Sequence, residues 1–210
     1  MKHLIIVGAG GMGRSICSIA KGCIGYDIDF SLKGFIDDDS LALEDFENYP
    51  PYLGSIKDYV IQPNDVFICS IGNTHTKRTV CEYLKTKGAK FYTLIHKLAV
   101  IRQNAKIGEG SLVAEYASVG VDAIVGENSL VQSFATVAHD CRIGDYVRID
   151  THCTCVGGVI VEDNAMIHTG AIISHNVVVG KDAHVGAGSF VIKKVKAGTT
   201  VFGSPARYLK

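Results

Sequence analysis

Apolar positions follow two different rhythms along the chain, and the change falls near residue 97. Over residues 1–97 short apolar runs alternate with helically spaced ones. Leu4-Ile5-Ile6-Val7 is a continuous apolar run closed by Gly8-Ala9-Gly10-Gly11. From Arg14 to Ala20 the spacing becomes helical, with Ile16, Ile19 and Ala20 on one face. Leu32 to Ile36 reads as a second strand closed by Asp37-Asp38-Asp39, and Asp65 to Ile71 as a third ending in Gly72-Asn73. Thr76 to Lys87 suits a helix and Lys90 to Ile95 a fourth strand. Strand, helix, strand in this order predicts βαβ units around a parallel sheet, a small Rossmann-like α/β domain.

Residues 98–210 keep a period of six. From Ile101 to Val191 every sixth residue gives sixteen positions, of which fifteen are Ile or Val and one is Cys155. Ile and Val together make up only 44 of the 210 residues, so the register is not a product of composition. Four places after each aliphatic residue stands a small one, from Ala105 to Val195: seven Ala, three Ser, two Cys and four Val. Six of the positions directly after the aliphatic one are Gly. A short internal repeat of this kind predicts a solenoid. Three hexads make one triangular coil, with the aliphatic side chain and its small partner inside. Sixteen hexads give a little over five coils, a prism roughly 25 Å long at about 4.8 Å per coil. The pattern resembles the hexapeptide-repeat family, which implies an all-β left-handed parallel β-helix and, for most members, acyl transfer.

Composition narrows the function without naming it. Basic and acidic side chains balance at 21 each, which leaves no electrostatic footprint for nucleic acid or an anionic membrane. No apolar run approaches the roughly 18 residues of a membrane span, and the opening Met-Lys-His-Leu-Ile-Ile leads into a strand, unlike a signal peptide. Seven cysteines are present, none in CxxC spacing, which argues against a disulfide framework or a zinc knuckle. A cytoplasmic location is the expectation.

Coil arithmetic then locates candidate chemistry. Residues three hexads apart stack on one face. His139, in Val137-Ala138-His139-Asp140-Cys141, holds the third place of its hexad, outside the two interior positions. Its neighbour Asp140 is placed to orient the ring and stabilise the imidazolium, as a general base requires. Gly157 lies one coil further on, where a bare backbone N–H suits a developing oxyanion. The alternative for His139 is a solvated surface side chain. His175 stacks two coils from His139, a spacing similar to that in γ-class carbonic anhydrases, which bind zinc through three His; the third place is Gly180 here, so the trio is incomplete. His152, His168 and His184 occupy other places and read as surface residues. Gly8-Ala9-Gly10-Gly11-Met12-Gly13 fits GxGxxG between a strand and a helix, a loop that offers N–H groups to phosphates. Asp37 and Asp38 end the next strand, where a ribose or base would be held. The unit is too short for a complete dinucleotide fold, so the loop is either a nucleotide site or a structural turn.

Taken together, the two halves resemble the bacterial sugar acyltransferases that join a Rossmann-like domain to a hexapeptide β-helix, among them UDP-4-amino-sugar N-acetyltransferases and sialic-acid O-acetyltransferases. The resemblance rests on the Gly-rich loop, Ile36-Asp37-Asp38, Ile71-Gly72-Asn73, Leu94-Ile95-His96-Lys97, His139-Asp140-Cys141, Ile143-Gly144-Asp145 and Gly203-Ser204-Pro205-Ala206-Arg207. It implies a nucleotide-sugar-binding domain over residues 1–97 and an acyltransferase domain over 98–210. It implies acetyl-CoA as co-substrate, no metal, and a homotrimer with the acyl-CoA groove between adjacent prisms. His139 is then the general base and Asp140 its partner. Gly157 faces the thioester carbonyl, and Arg148, Thr169 and Ala187 line the acetyl-CoA groove. Gly10, Gly11, Met12, Asp37, Asp38 and Gly72 hold the nucleotide sugar. Members often carry His where this chain has Met12, and Arg148 and Ala187 also depart from the usual types. The activity implied first is N-acetylation of the 4-amino group of a UDP- or dTDP-linked sugar, with O-acetylation of sialic acid or another sugar hydroxyl as the alternative. A zinc enzyme and a non-catalytic nucleotide-sugar-binding protein stand further off.

Overall fold

The computed structural model describes residues 1–209. The chain divides into two compact units, Met1–Lys97 and Leu98–Lys210.

In the first unit β1 (Lys2–Val7) lies between β2 (Phe30–Ile36) and β3 (Asp65–Cys69), and both pairings are parallel. Leu4, Ile5, Ile6 and Val7 are fully buried, as a central strand covered on both faces requires. The helix α1 (Gly11–Lys21) buries Gly13, Ile16, Cys17 and Ala20, so Cys17 and not Ile19 completes the apolar stripe. The helix α2 (Thr74–Thr86) begins ahead of the sequence expectation, at Thr74 and not Thr76, because Asn73 caps it: the Asn73 carboxamide oxygen accepts the Thr76 N–H at 2.9 Å. The expected fourth strand does not join this sheet. Phe91 makes an isolated bridge to Phe67, and only Leu94–Ile95 (β4) is extended beyond it.

At the base of this sheet Asp65, whose side chain has no exposed surface, accepts from Lys33 Nζ (2.7 Å), the Tyr59 hydroxyl (2.8 Å) and the Gln62 N–H (2.8 Å). Burial pushes its carboxyl up, but the hydrogen bonds from Lys33, Gln62 and Tyr59 and the Lys33 charge outweigh this and hold it below its ordinary value. A lowered pKa means that the unfolded chain takes up the proton first. The network therefore contributes fully above the ordinary carboxylate range, and its contribution is lost as pH falls toward the folded-state value. Asp65→Asn is expected to lose about 1–3 kcal/mol at neutral pH, with the deficit shrinking below about pH 4. Urea midpoints of both proteins at pH 7 and at pH 3.5 check this.

The second unit is a triangular parallel solenoid of short strands, each pairing with the strand one coil away. On one side Leu112, Leu130, Arg148, Met166 and His184 stack in register. Val100, Ser118, Thr136, Thr154, Ile172 and Phe190 do so on the second. Lys106, Ile124, Arg142, Ile160 and Val178 form the third. The aliphatic place fills the interior from Val113 to Val191. Ile101 departs from the expectation and is 36% exposed, because the terminal coil has a neighbour on one side only. The last coil is shortened: His184 pairs with Thr200 and Val179 with Val195, where a full coil would bring Phe202 and Ala197.

All seven cysteines are reduced and buried. No helix among the described residues is long and apolar enough to cross a membrane.

Candidate active site

His139 sits on one edge of the prism, where the chain turns between the Thr136–Val137 and Arg142–Ile143 strands. The turn needs a left-handed residue, and Asp140 supplies it with φ 60°, a conformation Asp tolerates better than most side chains. The Asp140 N–H donates to the Val121 carbonyl at 3.0 Å, which anchors the turn to the preceding coil. From this position Asp140 Oδ2 meets His139 Nδ1 at 2.7 Å. A carboxylate only accepts, so Nδ1 carries the proton, and in the neutral ring Nε2 holds the free lone pair. Both side chains are open to solvent, at 60% and 62% exposure.

The ring lies against Gly157, as coil arithmetic requires. A Cβ added at Gly157 would stand within 2.5 Å of His139 Nε2 and Cε1, so only glycine admits the ring in this place. The Gly158 N–H ties the two coils together by donating to the His139 carbonyl at 3.0 Å. The Gly157 N–H donates to no group in the chain among the described residues. One edge thus presents a lone-pair nitrogen and an unpaired amide N–H on adjacent coils, the pair that addition to a carbonyl needs.

The other residues expected in the acetyl-CoA groove lie elsewhere on the prism. Thr169 and Ala187 are exposed and stack one coil apart, on a different edge from Gly157. One chain does not bring them to Gly157. Arg148 lies on a flat side, with Nε 2.6 Å and Nη2 3.1 Å from the Asp150 carboxylate. Asp150 is buried and also receives Gln132 Nε2 at 2.6 Å and faces His168 Nδ1 at 3.4 Å. Burial pushes its carboxyl up, while His168 and Arg148 more than reverse this and hold it below its ordinary value. His168 and His184 are half-buried with ring centroids 5.9 Å apart, so they are not the plain surface residues expected. His175 is two coils from His139 with Gly157 between them, and no three His, Cys, Asp or Glu side chains among the described residues gather to hold a metal.

In the first unit the Gly-rich loop is tightly built. Gly8 adopts φ 100°, and a Cβ at Gly13 would stand 2.0 Å from the Gly8 carbonyl oxygen, so α1 approaches the strand end closely. Gly10 is the N-cap, and nothing lies within 4 Å of where its side chain would be. The first-turn N–H groups of α1 over Gly11 and Met12 have no intrahelical acceptor and face a bare approach. Asp37 accepts the Ala9 N–H at 2.6 Å and the Asp39 N–H at 2.9 Å, and Asp38 accepts the Ile56 N–H at 3.0 Å. Asp37 therefore ties the Gly-rich loop to the end of β2, and Asp38 ties that strand end to Ile56. Gly72 lies between β3 and the cap of α2. Arg14 stacks its guanidinium 3.4 Å from the Phe46 ring centroid beside this loop, a contact the sequence does not signal.

A further pattern escapes the aliphatic register. Every sixth residue from Asn104 to Gly188 has positive φ, and of these fifteen, seven are Asn or Asp and four are Gly. Tyr116, Phe134, Tyr146 and His152 are the exceptions. Tyr116, Phe134 and His152 occupy the same place on successive coils, and their rings stack with centroids 4.9 Å apart at each step. A search for aromatic residues repeating once per coil would have found them.

Comparison with known proteins agrees with this architecture. Residues 3–84 match the family described as PglD N-terminal domain, and residues 122–157 and 158–193 match the bacterial transferase hexapeptide family. A Bacillus subtilis UDP-N-acetylbacillosamine N-acetyltransferase is 32% identical over 117 residues. That match covers 54% of this chain and about half (51%) of the relative's length. Among solved structures, the acetyltransferase domain of PglB from Neisseria gonorrhoeae FA1090 superposes with a TM-score of 0.88 at 27% identity, covering 100% of both chains. WeeI from Acinetobacter baumannii AYE does so with a TM-score of 0.88 at 30% identity, again over 100% of both. With both domains matched in order and the fold shared from end to end, the chain belongs to the sugar acyltransferase family that joins a PglD-type N-terminal domain to a hexapeptide-repeat β-helix.

Proposed function

We propose that the protein is an acetyl-CoA-dependent N-acetyltransferase acting on the 4-amino group of a nucleotide-linked sugar. The observation that carries this reading is His139, held through Nδ1 by Asp140 with its Nε2 edge against Gly157. The sugar amine attacks the thioester carbonyl, a C–N bond forms, and Nε2 takes the proton that the nitrogen sheds. The carbonyl oxygen, negative in the tetrahedral intermediate, is held by the Gly157 N–H. The intermediate collapses with loss of the coenzyme A thiolate, which regains a proton from the imidazolium. No acyl-enzyme is needed. The Neisseria domain has also been solved in complex with acetyl coenzyme A, which supports the donor, and the Bacillus relative's name supports a UDP-linked amino sugar as acceptor. The loop of Gly10, Gly11 and Met12, with Asp37, Asp38 and Gly72 shaping its surroundings, is assigned to the nucleotide diphosphate, and Thr169 and Ala187 to the thioester arm. Arg148, expected in the same groove, is assigned there as a cation whose direction Asp150 sets.

Gly157 and Thr169 lie on different edges of one prism, so a groove lined by both requires two copies, in keeping with the trimer that the family resemblance implies. Screening UDP- and dTDP-linked 4-amino sugars and sialic acid with acetyl-CoA, read by thiol release, tests the reading. Turnover is expected with a UDP-linked 4-amino sugar. Release with sialic acid alone would turn the assignment to O-acetylation, and release with no acceptor would remove it.

A further inference from the structure

The edge that carries Thr169 and Ala187 changes character along its length. Its turn residues in order are Tyr116, Phe134, His152, Gly170 and Gly188, all with positive φ. The first three form a continuous ring stack, with interplanar angles of 19° and 5°. Tyr116 and Phe134 are 54% and 49% exposed, and His152 is exposed beside them. The last two are bare: a Cβ at Gly170 would touch only the Gly188 nitrogen at 4.0 Å, and one at Gly188 would touch nothing.

Rings at this backbone position oppose its preference. Left-handed φ is costly for a bulky side chain, and the other edges fill the same place almost throughout with Asn, Asp or Gly. Tyr146, the one other exception, is buried. The stacked three bury themselves in no core. Strained residues that persist in the open are a mark of use.

Coil height says what the use is. With about 4.8 Å per coil, one hexad corresponds to roughly 1.6 Å along the axis. Phe134 therefore lies about 1.6 Å below the level of Asp140 and His152 about 3.2 Å above it. The rings bracket the level of the proposed base, and the bare corner begins above Gly157. We propose that Tyr116, Phe134 and His152 form the acceptor-sugar wall of an active site whose His139 belongs to a second copy of the chain, while bare Gly170 and Gly188 leave room for the thioester arm. The ring edges present apolar surface to the non-polar face of a pyranose, and the outer nitrogen of His152 reaches a sugar hydroxyl. His139 and the rings of one chain are on different edges, so the two halves of the site come from different copies. The proposal rests on the acetyltransferase reading.

The test replaces the rings with the residue that the other corners use. Phe134→Asn and Tyr116→Asn relieve backbone strain and are expected to keep or raise Tm. They are also expected to raise KM for a UDP-linked 4-amino sugar roughly three- to tenfold, with KM for acetyl-CoA unchanged. A purely structural column would give a lower Tm and an unmoved acceptor KM, which would overturn the proposal. Mixed oligomers of His139→Ala with a Phe134→Asn, His152→Asn double variant, assayed at low acceptor concentration, should exceed the mean of the two parents. Activity at or below that mean, or a monomer in sedimentation, also overturns it. Wild-type turnover separates the readings: its absence removes the acetyltransferase assignment, whereas turnover with an unmoved acceptor KM removes the ring wall alone.

Discussion

His139→Ala should lower kcat by roughly 10²–10⁴-fold, the range expected when a positioned general base is removed, while the protein keeps its fold and its affinity for acetyl-CoA. The side chain is 60% exposed and its contacts are with Asp140 and Gly157, so truncation opens no cavity. The effect belongs to the chemical step, because Nε2 is needed only when the amine becomes acidic on attack. Stopped-flow or steady-state thiol release with the cognate sugar, set beside a melting curve, measures both quantities. Full activity would assign the proton to another group. Asp140→Asn tests the same dyad more gently. The amide can still accept from Nδ1, so the ring keeps its direction but loses the negative charge that stabilises the imidazolium. A smaller loss than that of His139→Ala is the expected outcome.

Gly157→Ala should be nearly as damaging although it adds a single carbon. The new Cβ would fall 2.4 Å from His139 Cε1 and 2.5 Å from Nε2, and ring atoms cannot approach so closely. The ring must rotate away, and the Asp140 hydrogen bond lengthens with it. A displacement on the order of 1 Å in a reacting group costs about 10²-fold in rate, and kcat is the parameter that should fall. No positive φ marks Gly157, so the backbone accepts alanine and the solenoid should melt close to the wild-type temperature. A crystal structure of the variant with the ring unmoved, or unchanged kcat, would show that the ring's place over Gly157 is incidental.

The difference between these two residues shows what sequence can and cannot convey here. The solenoid was legible because its rule is one-dimensional: pairing of each coil with the next puts Val113, Val131 and Ile149 in one column, and a column is a period. The alignment of His139 with Gly157 follows from the same count. The first unit was legible in its strands and its Gly-rich loop, since Leu4 to Val7 form a buried central strand and Gly8 and Gly13 serve a tight turn. What failed lay where tertiary contacts decide. Lys90 to Ile95 has the composition of a strand, yet only Phe91 bridges to the sheet. Ile101 satisfies the hexad and is still exposed, because no coil lies beneath it. Arg148 keeps the register but spends its charge on Asp150, a pairing that depends on where two side chains turn. The ring stack of Tyr116, Phe134 and His152 obeys the period fully, but at the turn place, where Asn, Asp and Gly are the common occupants and rings carry no periodic signal of their own.

The regular coil register also makes the prism a ruler. From His139 to the loop at Gly203-Ser204-Pro205 the chain climbs about three and a half coils, roughly 17 Å at the strand spacing. Every coil is the same height and contacts only its neighbours, so this distance is set by counting and hardly by side-chain choice. Removing one coil between the two would leave each coil's packing intact and shorten the span by about 4.8 Å. Whatever is laid along the prism from His139 therefore meets a span written in the number of its repeats.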